Sequence, residues 1–214
     1  MPINERYNVI FVHIPKNGGT SVEYALGMHG GIDYIGIKPY LNQETNKYLF
    51  GAGAQEFSAA ELKKIIGEAK YNKFKSFAIS RNPYTRYVSY VSWKERLWPT
   101  ITSNILEIEI FEKNILDDFK NYKISKFENL YLKPQHTYIF DQFSNQLVNK
   151  IFKIEEFDQV TYFIKKITNN KELKIEKRMS SNHYEYDKYY DQNSINIINE
   201  MYRDDFNLLS YDFL

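Results

Sequence analysis

Residues 8–14 form a continuous apolar run, containing Val9, Ile10, Phe11 and Val12, that ends in Pro-Lys-Asn-Gly-Gly. A run of this length, rich in β-branched and aromatic residues and closed by a turn, reads as a strand buried on both faces, as at the centre of a parallel sheet. Parallel strands need crossover connections, and the chain supplies them. Residues 20–26 take a helical pattern with Gly27 as the stop. Ser58-Ala-Ala-Glu61 is a capping box, and Leu62, Ile65 and Ile66 continue at helical spacing, so a helix is predicted over 58–69. Residues 75–80, with Phe77, Ala78 and Ile79, predict a second buried strand, and Pro83 suits the first position of a helix running to residue 97.

The rest of the chain continues the alternation. Residues 29–54 are Gly-rich and read as loops with one or two short strands, and residues 101–132 hold one or two helices whose limits the pattern does not define. Short strands are predicted over 138–141 and 150–154. Residues 155–167 carry acidic side chains in the first turn, lysines in the last, and Val160, Phe163, Ile164 and Ile167 on one face, which predicts an amphipathic helix. Residues 191–206 repeat that pattern with Ile195, Ile198 and Tyr202. Strands alternating with helices predict an α/β layered fold around a mainly parallel sheet. Ligands in such folds bind at the carboxyl ends of strands. With 214 residues, no internal repeat and no low-complexity linker, one domain over residues 1–214 is expected.

Composition narrows the chemistry. The net charge of +1 advertises neither nucleic acid nor an anionic membrane surface, so any anion site must be built locally. There is no cysteine, which excludes disulfides and thiolate metal sites. The four histidines, His13, His29, His136 and His183, do not make an all-histidine metal centre. No apolar run approaches the roughly 18 residues of a membrane span, and the first residues lack a signal pattern. A soluble cytoplasmic protein is expected, and abundant Lys, Asn, Ile and Tyr point to an AT-rich bacterial source.

Two segments carry the chemistry. Residues 13–21, His-Ile-Pro-Lys-Asn-Gly-Gly-Thr-Ser, are a strand end, a glycine turn and a helix start. Gly18 and Gly19 allow positive φ and close approach to a ligand. The helix start offers N–H groups to an anion, Thr20 and Ser21 add hydroxyls, and Lys16 adds a full charge. The lysine precedes the glycines, whereas a Walker A loop places it after them. The second segment, Arg81-Asn-Pro-Tyr-Thr-Arg86-Tyr-Val-Ser89, again joins a strand end to a helix. Arg81 suits forked phosphate binding. Ser89, about two turns into the helix, faces back towards its start, while Arg86 lies on a different face and reads as structural.

The first segment closely resembles the 5′-phosphosulfate-binding loop of the sulfotransferases, in the family 2 branch containing carbohydrate sulfotransferases, with Asn17 where threonine is commoner. The second resembles that family's 3′-phosphate segment, and Pro134-Gln135 and the closing Tyr202-Arg-Asp-Asp-Phe and Tyr211-Asp-Phe also look like family features. The similarity therefore covers essentially the whole sequence. It implies a P-loop-like three-layer α/β fold, with a central mainly parallel sheet flanked by helices. It also implies transfer of a sulfuryl group from 3′-phosphoadenosine 5′-phosphosulfate to a hydroxyl, releasing adenosine 3′,5′-bisphosphate without a metal. Lys16, Asn17, Gly18, Gly19, Thr20, Ser21, Arg81 and Ser89 are then the donor-binding residues, with Lys16 also stabilising the leaving group. The acceptor expected from the branch is a saccharide or glycan precursor.

The acceptor hydroxyl needs a general base. Members of this branch often carry a histidine just before the capped helix, and Glu56 stands in its place here, so Glu56 is the candidate base and His136 the runner-up. His13 is expected to order the loop through hydrogen bonds and Glu61 to cap its helix. Trp93 and Trp98, beside Arg96, follow the Ser89 helix where an acceptor can lie. Two rival functions stay open from the sequence: a P-loop kinase-like transferase using a nucleoside triphosphate, and a non-catalytic nucleotide- or glycan-binding relative.

Overall fold

A computed structural model describes residues 3–28, 41–42, 47–48, 57–97, 105–125, 130–176 and 183–214. In chain order its elements are β1 (Ile3–Asn4), β2 (Val9–Val12), α1 (Gly19–Ala25), β3 (Leu41–Asn42), β4 (Lys47–Tyr48), α2 (Ala59–Ile66), α3 (Glu68–Tyr71) and β5 (Lys75–Ser80). There follow α4 (Pro83–Leu97), α5 (Ile108–Ser125), α6 (His136–Ile139), β6 (Lys150–Lys153), α7 (Phe157–Thr168), α8 (Gln192–Met201) and α9 (Arg203–Leu209). The chain divides into two units, Met1–Ser80 with Thr137–Arg178, and Arg81–His136 with Met179–Leu214.

The first unit is built on a four-stranded sheet of order β1-β2-β5-β6. β1 pairs antiparallel with β2, whereas β2, β5 and β6 run parallel. Strands β3 and β4 form a separate antiparallel pair. Val9 and Phe11, Phe77 and Ile79, and Phe152 point to one face, where Val22 of α1, Leu26 just after it, and Val160 and Ile164 of α7 pack on them. Their alternates Ile10, Val12 and Ala78 are buried as well, which is why β2 reads as an unbroken apolar run rather than an alternating one. The architecture is α/β with a mainly parallel sheet flanked by helices, as expected.

The second unit is helical. Tyr84, Tyr87, Val88 and Val91 of α4 meet Phe111 and Ile115 of α5, Ile197, Ile198 and Met201 of α8, and Phe206 of α9. Its core is rich in tyrosine because each buried ring needs a partner for its hydroxyl and finds one. Tyr87 donates to Asp118 Oδ2 at 2.8 Å, Tyr189 to the Leu106 carbonyl at 2.8 Å, Tyr190 to the Tyr84 carbonyl at 2.9 Å and Tyr202 to the Leu132 carbonyl at 2.9 Å. Burial pushes the Tyr87, Tyr190 and Tyr202 hydroxyls well above their ordinary pKa, so they stay neutral donors.

Several expected boundaries shift. The capping box holds, with Glu61 N–H donating to Ser58 Oγ and Ser58 N–H donating to Glu61 Oε2 at 2.8 Å. The helix predicted over 58–69 nevertheless stops at Ile66, because Gly67 takes φ 82° and the chain restarts as α3. Residues 138–141 are not a strand. Tyr138 and Ile139 belong to the helical turn α6, and only Phe140 makes an isolated bridge, to Gln146. The apolar pair Tyr138–Ile139 mimics a strand locally, but the Asp205 carboxylate caps the start of the turn by accepting from the His136 amide. Residues 191–206 form two helices, α8 and α9, because Tyr202 between them leaves helical geometry at φ −123°, ψ 25°. Within 101–132 the described residues hold one helix, α5.

Candidate active site

Residues 13–21 leave the carboxyl end of β2 and turn into α1. Two of them adopt left-handed backbone, Lys16 at φ 71° and Gly18 at φ 74°, with Asn17 between them at negative φ. Backbone that alternates in this way is the general pattern by which successive N–H groups converge on an anion. Left-handed lysine is costly, by about 1–3 kcal/mol, and such strain gathers at functional sites where the surroundings enforce it. The enforcing contacts are visible. Asn17 Nδ2 donates to the Ile79 carbonyl at 2.7 Å, tying the turn to the carboxyl end of the neighbouring parallel strand. His13 Nδ1 lies 2.8 Å from Glu23 Oε1, both side chains buried, which pins the turn to α1.

The His13 ring is also the floor of the turn. It stacks on Phe11 at 5.7 Å between centroids, and Gly19 lies directly over it. A Cβ at position 19 would sit 2.5 Å from His13 Nε2 and 2.8 Å from Cε1. Gly18 is required for a different reason, its positive φ combined with Ile154 Cδ1 at 3.1 Å from where a Cβ would stand. His13 thus does what was expected of it, ordering the loop through a hydrogen bond, and adds a steric role. Thr20 is half-buried and Ser21 buried, and the Ser21 amide is used within the turn by the Gly18 carbonyl at 3.2 Å.

The second segment begins at Arg81, in the second unit. Its N–H donates to Gln135 Oε1 at 2.9 Å, and its carbonyl accepts from Gln135 Nε2 at 2.7 Å. Its side chain is oriented by Nε donating to Thr85 Oγ1 at 3.0 Å. Asn82 caps α4 by accepting from the Tyr84 amide at 2.9 Å, with Pro83 at the first helical position, as expected. Thr85 and Ser89 are one turn apart and share a face of α4, so Arg81, Thr85 and Ser89 form one polar row. Ser89 is buried, and its hydroxyl has no hydrogen-bond partner among the described residues. Arg86 points elsewhere. Buried, it donates to the carbonyls of Tyr131 and Lys133, each at 3.0 Å.

Residues 1–162 of the chain match the sulfotransferase family. The chain belongs to that family. No curated protein matches it, and no solved structure does. The matched region contains both segments, 13–21 and 81–89, and ends within α7, so α8 and α9 lie beyond it. Membership places the chain among transferases of sulfuryl groups.

Of the remaining residues singled out in the sequence, Glu56 and Trp98 lie outside the described residues. Trp93 is half-buried, its ring 4.4 Å from that of Tyr131. His136 sits at the start of α6 with Nδ1 2.8 Å from Asp205 Oδ1 and Nε2 4.0 Å from Asp204 Oδ2. With a proton on Nδ1 shared with Asp205, Nε2 is left as the basic nitrogen. No group of three or more metal-ligating side chains occurs among the described residues, nor does any helix there have the length and apolarity to cross a membrane. The sequence alone missed Thr85 and Gln135 as partners of Arg81. The four-residue spacing of 81, 85 and 89 was the available signal for Thr85. Gln135, 54 positions from Arg81, had no local signal.

Proposed function

We propose that this protein transfers the sulfuryl group of 3′-phosphoadenosine 5′-phosphosulfate to a hydroxyl of a saccharide or glycan-precursor acceptor. The observation that carries the reading is the left-handed Lys16 in a glycine turn whose lysine precedes its glycines, in a chain of the sulfotransferase family. In this reading the concave turn from Lys16 to Ser21 takes the 5′-phosphosulfate, and Arg81 with Ser89 takes the 3′-phosphate.

The acceptor oxygen attacks sulfur in line, the bond from sulfur to the phosphate oxygen breaks, and adenosine 3′,5′-bisphosphate leaves. Lys16 and the backbone amides of the turn neutralise the charge growing on that phosphate, the kind of preorganised stabilisation that dominates such transfers. The hydroxyl proton goes to a general base, for which Glu56 is the first candidate and His136 Nε2 the second. No metal is required by this scheme, and a bacterial cytoplasmic setting accords with it.

The test is thermal unfolding with adenosine 3′,5′-bisphosphate against ATP, followed by transfer of labelled sulfuryl group to a panel of saccharides. The bisphosphate is expected to stabilise the protein selectively, by about 2.7 kcal/mol at a hundred times its Kd. Lys16→Ala is expected to lower turnover roughly 10²–10³-fold. Selective stabilisation by ATP overturns the reading in favour of a triphosphate-using transferase. Bisphosphate binding without transfer to any acceptor makes the protein a binding module.

A further inference from the structure

We propose that Gln135 and Asp205 are positioning residues that preorganise Arg81 for the donor's 3′-phosphate, an inference resting on the donor reading above. Arg81 stands where the chain leaves β5 for α4, between the end of the strand and the first turn of the helix. Backbone groups left unpaired in such a place are destabilising. Gln135 takes both, accepting from the N–H at 2.9 Å and donating to the carbonyl at 2.7 Å, as one residue of a partner strand would. Two parallel bonds to one residue fix its Cα and the plane of its backbone. Arg81 Nε is fixed separately by Thr85, so a flexible side chain is held at both ends.

Gln135 is held in turn. It is 0% exposed, and its own N–H donates to Asp205 Oδ2 at 2.8 Å. The other oxygen of Asp205 faces the amide and Nδ1 of His136, each at 2.8 Å. A fully buried carboxylate is expensive unless its oxygens are satisfied, and this one is spent on holding the two residues that carry the clamp. Asp205 is on α9, beyond the family match. Phosphate recognition by a preset arginine avoids the ordering cost that a mobile one incurs on binding.

The clamp should therefore appear in the selectivity for a 3′-phosphate rather than only in stability. The experiment is titration calorimetry of the full chain with adenosine 3′,5′-bisphosphate and with adenosine 5′-phosphate. The wild type is expected to prefer the bisphosphate by roughly 10–100-fold, the range of a charge-assisted hydrogen-bonded contact. Gln135→Met keeps the buried volume and removes both bonds. It is expected to reduce the preference about tenfold while affinity for adenosine 5′-phosphate stays within about twofold. Combined with Arg81→Ala it should add nothing to the loss that Arg81→Ala causes alone.

A Gln135→Met protein that keeps the wild-type preference, whatever its melting temperature, overturns the proposal. A wild type without any preference overturns the 3′-phosphate assignment itself, and the two failures are told apart by the wild-type titration. Should Gln135→Met not fold, Asp205→Asn, which keeps volume and one acceptor oxygen, is read in the same way. A reduced preference supports the clamp and an unchanged one overturns it.

Discussion

The turn at residues 13–21 and the segment 81–89 are both assigned to anions, yet they are held in shape by opposite means. The first is shaped mainly from within, helped from outside by the Ile79 carbonyl that Asn17 bonds and by Ile154 against Gly18. Its determinants, His13, Lys16, Gly18, Gly19 and Glu23, lie within one short stretch, and its shape comes from positive φ and from a glycine resting on a buried ring. The second is a plain strand-to-helix junction whose precision is imported through Gln135 and, behind it, Asp205. A backbone cradle tolerates little change at its own positions. A side-chain row tolerates more locally, but depends on distant residues.

The sharpest way to break the comparison is Gly19→Ala. The new methyl would overlap the His13 ring, which is buried and bonded to Glu23 and so has no room to yield. Overpacking of this kind costs about 1–3 kcal/mol of stability. Displacement of the cradle by even an ångström is expected to cut turnover about a hundredfold. Urea unfolding and initial rates check the two effects, and a fully active Gly19→Ala would show that the first site is not shaped by backbone contact.

Next in size is Arg86→Ala, which probes the imported scaffold. It removes the bonds to the carbonyls of Tyr131 and Lys133, just before Gln135, and is expected to cost about 2–3 kcal/mol in urea unfolding. Arg86→Lys should recover only part of this, because the shorter side chain does not carry its ammonium to the place of Nη2, the one nitrogen that donates to both carbonyls. Full recovery would show the role to be charge alone.

The smallest effect sharpens the picture of the helices behind Ser89. Burial raises the carboxyl of Asp118 above its ordinary value of 3.8, against the lowering influence of Lys94 and of the Tyr87 hydroxyl. The folded state therefore holds this proton more tightly than the unfolded chain does. Its stabilising effect is complete below the unfolded pKa and is lost as pH rises through the raised folded one. Unfolding free energies of wild type and Asp118→Asn, compared across acidic pH, should diverge in favour of the wild type as pH falls through that window. A difference independent of pH would place the proton elsewhere in the Lys94, Glu95 and Asn114 network.

The same contrast explains what was legible in the sequence. The strand–turn–helix at 8–26 was readable because most of what shapes it is contiguous: apolar run, glycine pair, lysine. The fold class followed from it, since a strand buried on both faces implies helices on either side. Arg81, Asn82, Pro83 and Ser89 were readable by spacing, and the structural reading of Arg86 matches its buried bonds to two carbonyls. Gln135 and Asp205 were not, because no local pattern distinguishes a glutamine that clamps a backbone from one in solvent. The strand expected over 138–141 failed for a related reason: a buried apolar pair does not reveal that its turn is capped by a residue far along the chain.

The Arg81–Gln135 pairing also has a consequence for how the chain matures. Arg81 opens the excursion 81–136 out of the first unit and Gln135 all but closes it, so the bonds between them staple the mouth of a long insertion. Domains fold as units while synthesis proceeds from the amino terminus. A nascent chain that has reached residue 178 contains every residue of the first unit, the Lys16 turn included, but not yet Asp205. The anchor that secures the staple thus emerges from the ribosome only after the whole of the first unit, and a chain ended between the two carries the turn at 13–21 without the fastening of the segment at 81–89.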